Sequence, residues 1–98
     1  MTAPADLVIS VTADDIAKGT KCECMWCPIA YAARRALGWP DRPSRGLEVT
    51  GSDGVHVIVV PGEGKWLLPR EASTFIARFD TGQPVAPATF TARLVGAS

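Results

Sequence analysis

Apolar and polar positions change period several times along the chain, and each change marks an element. Leu7-Val-Ile-Ser-Val11 is a short β-rich run and predicts a strand. Thr12-Ala-Asp-Asp15 follows as a capping box, in which the Thr12 hydroxyl accepts from the Asp15 amide and the Asp15 carboxylate reaches back to the Thr12 amide. Val11 and Ile16 flank the cap as a hydrophobic staple. Asp14 and Asp15 face the positive end of the helix dipole, and Gly19 ends the helix. A second helix starts at Cys27 or Pro28, because proline at the first helical position sacrifices no hydrogen bond. Ile29, Ala33, Ala36 and Leu37 fall on one of its faces; Tyr31, Arg34 and Arg35 fall on the opposite, solvent-directed face. Gly38 and Pro40 stop it.

Residues 39–46 read as a loop by composition. Leu47–Thr50 alternates apolar and polar, whereas Val55–Val60 is apolar except at His56. The pair predicts a hairpin across Gly51-Ser-Asp-Gly54, with the second strand central in the sheet. Pro61–Gly64 makes a further turn into a short strand at Lys65–Leu68. The third helix runs from Pro69 to Asp80, with Ala72, Phe75, Ile76 and Phe79 inward, and Gly82 stops it. After the stiff Gln83–Pro87 connection, Phe90, Ala92 and Leu94 alternate with Thr89, Thr91 and Arg93 in a half-buried last strand. These elements predict a single α+β domain over residues 1–98. Its mostly antiparallel sheet has four to five strands, with about three helices packed on one face.

Ten basic and ten acidic groups in 98 residues cancel, which argues against bulk electrostatic binding of nucleic acid. No apolar run approaches the ~18–20 residues of a membrane span. Met1–Asp6 lacks the basic and apolar regions of a secretory signal, so the expected setting is cytoplasmic. The charges are nevertheless uneven. Residues 28–46 hold Arg34, Arg35, Arg42 and Arg45 against Asp41 alone, with Tyr31 and Trp39 among them. Guanidinium forks suit phosphate and carboxylate, and aromatic rings suit a contact surface. Arg34, Arg35, Arg42, Arg45, Tyr31 and Trp39 are therefore the candidate binding residues.

The reactive side chains concentrate at Cys22, Cys24 and Cys27. With the only histidine, His56, they could supply four tetrahedral ligands to zinc. The alternative is three small thiols packed around a helix start. Cys27 has a second alternative as a reactive thiol, because helix amides stabilise a thiolate at that position. No carboxylate is fixed beside His56 by spacing, so no triad is expected, and no catalytic residue is assigned. Gly62-Glu-Gly64 lacks the Lys-Ser/Thr ending of a phosphate loop.

Val11–Gly19, Cys27-Pro-Ile-Ala30 leading into Arg35-Ala-Leu37, and Leu68-Pro69 leading into Phe75–Pro87 together resemble a group of short proteins encoded by phages and prophages, notably those of actinobacteria. The resemblance spans most of the chain, and Cys-Pro-Ile-Ala is its most specific piece. It implies an accessory product acting in the cytoplasm of a bacterial host, and it assigns no activity, cofactor or site residue. The sequence thus predicts a small non-enzymatic binding module for a host protein or an anionic, nucleotide-like ligand. It needs no cofactor on this reading, and its exposed aromatics suit a homodimer contact. The alternative is a zinc-stabilised domain or a reactive-thiol protein.

Overall fold

The computed structural model describes residues 6–22, 25–38, 46–52 and 54–96. The elements run β1 (Asp6–Val11), α1 (Ala13–Lys18), α2 (Pro28–Ala36), β2 (Glu48–Ser52), β3 (Val55–Val60), β4 (Gly64–Leu67), α3 (Arg70–Asp80) and β5 (Ala88–Gly96). The five strands form one antiparallel sheet in the order β1-β5-β4-β3-β2, so the fold is α+β as expected. The last four strands follow one another as a meander, and β1 closes onto the last of them. Among the described residues no helix is long and apolar enough to cross a membrane.

Alternation places the core on one face. Leu7, Ile9 and Val11 of β1 stand in register with Ala92, Phe90 and Ala88 of β5. Val49, Ile58 and Trp66 form a row across β2, β3 and β4. Trp66 has no exposed surface. Its ring fills the space that the missing side chain of Gly64 leaves beside it. The helices add Ile29, Ala30 and Ala33 from α2, and Ala72, Phe75 and Phe79 from α3. Phe75 meets Phe90 edge to face, 5.8 Å between ring centres. None of the residues on the opposite face of the sheet belongs to this core.

Some local outcomes differ from the pattern. β2 continues through Gly51 and Ser52, which the sequence suggested as turn residues. Gly51 stands opposite His56, and a side chain there would run into the Val55 carbonyl, so only glycine lets the two strands pair so far. β3 lies inside the sheet but second from its edge; the middle strand is the short β4. At Gly19, a Cβ would strike the Pro28 ring, so glycine is what lets the end of α1 rest on the start of α2.

Candidate functional site

Two places gather the side chains singled out by the sequence. The first is the corner where α2 leaves the 20–27 connection. A backbone bond from Thr20 N–H to the Trp26 carbonyl, 2.8 Å, closes that connection into a loop. Cys27 is the N-cap of α2: its Sγ accepts from the Ala30 amide at 3.4 Å, and Pro28 follows at the first helical position. One turn into the helix, Tyr31 and Arg34 share a face, as a spacing of three requires.

Arg34 is buried, 2% exposed, where the sequence pattern had it facing solvent. The alanines of α2 explain this. With Ala30, Ala32 and Ala33 small enough for close approach, the helix is buried around most of its circumference, and Arg34 lies beneath the 25–27 turn. Its Nη1 donates to the Met25 carbonyl at 2.8 Å. Its Cζ lies 5.1 Å from the Trp26 ring centre and 5.0 Å from that of Tyr31. Those rings are only 6.0 Å apart and tilted by 50°, so they form a corner on one side of the cation. Nε and Nη2 are buried and, among the described residues, donate to no acceptor. These two atoms form one edge of the guanidinium, the edge that takes two oxygens of a single oxyanion.

Arg35 is the reverse case. Its side chain is 51% exposed, yet both terminal nitrogens of its fork are engaged. Nη1 donates to Asp15 Oδ1 at 3.0 Å, and Nη2 to Asp15 Oδ2 at 2.7 Å and to the Ser10 carbonyl at 2.8 Å. Asp15 also closes the expected capping box, accepting from Thr12 N–H at 2.9 Å while Thr12 Oγ1 accepts from the Asp15 amide at 3.2 Å. Burial pushes the Asp15 carboxyl up, but the Arg35 hydrogen bonds, the Thr12 bonds and the Arg35 charge outweigh it, so its pKa falls below the usual value. Lys18 sits 4.6 Å above the Tyr31 ring and 3.6 Å from Asp14. Arg42, Arg45 and Trp39 lie outside the described residues, and so does Cys24.

The second place is a pocket of about 170 Å³ at the other end of the 20–27 connection. Cys22, Cys27, His56 and Asp80 line it, with Val49 and Ile76 as apolar walls. Three of the four residues named as zinc ligands therefore border one cavity. Cys22 is exposed and holds the left-handed backbone conformation, φ 59°, with its amide fixed on Asp80 Oδ1 at 2.9 Å. Cys27 is buried. His56 Nδ1 is 2.9 Å from Ser73 Oγ. Among the described residues no three histidine, cysteine or acidic side chains stand close enough to hold a metal ion together.

Sequence reasoning missed three participants: Trp26 and the Met25 carbonyl at Arg34, and Asp80 at the pocket. The first two carry no chemical signal in sequence, because only the folded-back turn brings them to α2. Asp80 read as the end of a helix, and its role depends on a contact across 58 positions. Compared with known proteins, the chain matches no family model, no curated relative and no solved structure.

Proposed function

We propose that this protein is a small non-enzymatic binding module that takes an anionic ligand through α2. On the resemblance given above, it acts as an accessory product in a phage-carrying bacterial cell. One observation carries the reading: Arg34 is buried, no carboxylate among the described residues pairs with it, and Nε and Nη2, one edge of its guanidinium, find no acceptor among them. Buried polar groups are nearly always hydrogen-bonded, and an unpaired charged donor is costly, so an unmet fork marks a place where an acceptor belongs. The acceptor class follows from geometry. Nε–H and Nη2–H are parallel donors that match two oxygens of one phosphate or carboxylate group. Ligand entry then means displacement of the 25–27 turn, which is tied to Arg34 itself by the Met25 carbonyl bond to Nη1.

The test is calorimetric titration of inorganic phosphate and of a nucleoside monophosphate into the wild-type protein and Arg34→Met, at constant ionic strength. Saturable binding by the wild type that Arg34→Met loses supports the reading, with the phosphate ester separating a nucleotide from the bare anion. Absence of binding to the wild type, or equal binding by both proteins, overturns it. A ligand held by one fork also binds with little salt dependence, unlike a polyanion that contacts many basic groups.

A further inference from the structure

The face of the sheet that contributes nothing to the core carries a pattern suited to a second copy of this chain. Val55, Val57 and Val59 project from β3 on that face, and Leu67 of β4 stands opposite Val57. Val55 is 55% exposed, and Val57, Val59 and Leu67 are half-buried. In the row that crosses Val59, Lys65 of β4 stands on one side and Glu48 of β2 on the other. Among the described residues neither charge forms an ion pair. The arrangement is an apolar line flanked by opposite charges at equal spacing, one strand away on each side.

We infer that two copies of this protein meet through this face, related by a two-fold axis running along β3. That axis lays β3 on β3 and exchanges β2 with β4. The three valines of one copy then meet those of the other. Lys65 of each copy stands over Glu48 of the other, so one symmetric contact forms two ion pairs. The charges select this orientation. An axis running across the strands would lay β4 on β4 and β2 on β2, leaving both charges without an opposite. Sheets packed face to face lie about 10 Å apart, a gap that lysine and glutamate side chains span. Three strands from each copy take part, which is less than the ~800 Å² per partner of a standard interface, so the dimer is weak and concentration-dependent.

Sedimentation from about 10 μM to 1 mM tests this, a range set by the small contact area. Lys65→Glu puts Glu over Glu, and Glu48→Lys puts Lys over Lys. Mixed together, the two variants restore opposite charges in the heterodimer alone. The expected result is a wild-type dimer at high concentration, at least tenfold weaker association of each variant alone, and wild-type association in the equimolar mixture. Val55→Asp, at an exposed position, weakens the wild-type dimer by a similar factor. A wild type that stays monomeric throughout overturns the inference. So does a dimer that survives either charge reversal, or a mixture that fails to associate.

Discussion

The corner where α2 meets β1 and the corner where it meets the 25–27 turn handle charge in opposite ways. At the first, Arg35 is half in solvent, but Asp15 and the Ser10 carbonyl engage both of its terminal nitrogens. At the second, Arg34 is buried, bonded to the Met25 carbonyl and stacked on two rings, with Nε and Nη2 unpaired among the described residues. Neighbours in sequence thus differ in availability in the direction opposite to their exposure. The lesson is that a surface arginine is no better a binding candidate than a buried one until its hydrogen bonds are counted.

Disrupting the satisfied corner has the largest expected effect. Asp15→Ala removes the N-cap partner and both Arg35 bonds, for a loss of about 2–3 kcal/mol in denaturant unfolding. The same carboxylate gives a pH signature. Its folded pKa lies below its unfolded value near 3.8, so its contribution is complete above that value and disappears as pH falls through the lower folded pKa. Asp15→Asn therefore flattens the acid limb of the stability curve below about pH 4. An unchanged limb would show that Arg35 does not hold this carboxylate.

The sharpest contrast comes from truncating each arginine to methionine in buffer free of polyvalent anions. Arg35→Met strands the buried Asp15 carboxylate and is expected to cost about 1–2 kcal/mol. Arg34→Met removes an under-satisfied buried cation and keeps the apolar stem that packs on Trp26 and Tyr31. Stability is expected to stay level or rise by about 1 kcal/mol. Equal losses in chemical denaturation would erase the distinction between the corners. The smallest effect belongs to Asp14→Ala. This residue is 82% exposed and its pair with Lys18 is a surface helix pair, so the change is within about 0.5 kcal/mol.

Local chemistry was legible in the sequence wherever neighbouring residues decide it. The Thr12–Asp15 box, the cap position of Cys27 and the alternation of β5 all follow from interactions within a few residues. The five strands and three helices follow from the same kind of signal. Arg34 was misplaced because a face of small residues can be buried on more than one side, and the second layer came from a turn whose path periodicity does not encode. Cys22, Cys27 and His56, which the sequence grouped with Cys24 as alternative zinc ligands, border one pocket without three such side chains standing close enough to share a metal ion among the described residues. The pocket's wall at Asp80 depends on α3 ending beside the 20–27 connection, which only the packing of the whole sheet determines.

The strand order has a consequence for synthesis. β5 is made after the other four strands, yet it lies between β1 and β4. Leu7, Ile9 and Val11 find their partners, Ala92, Phe90 and Ala88, only after every element between them has been made. β1 therefore stays an unpaired apolar strand until β5 emerges, and deleting Ala88–Gly96 would split the sheet rather than trim its border.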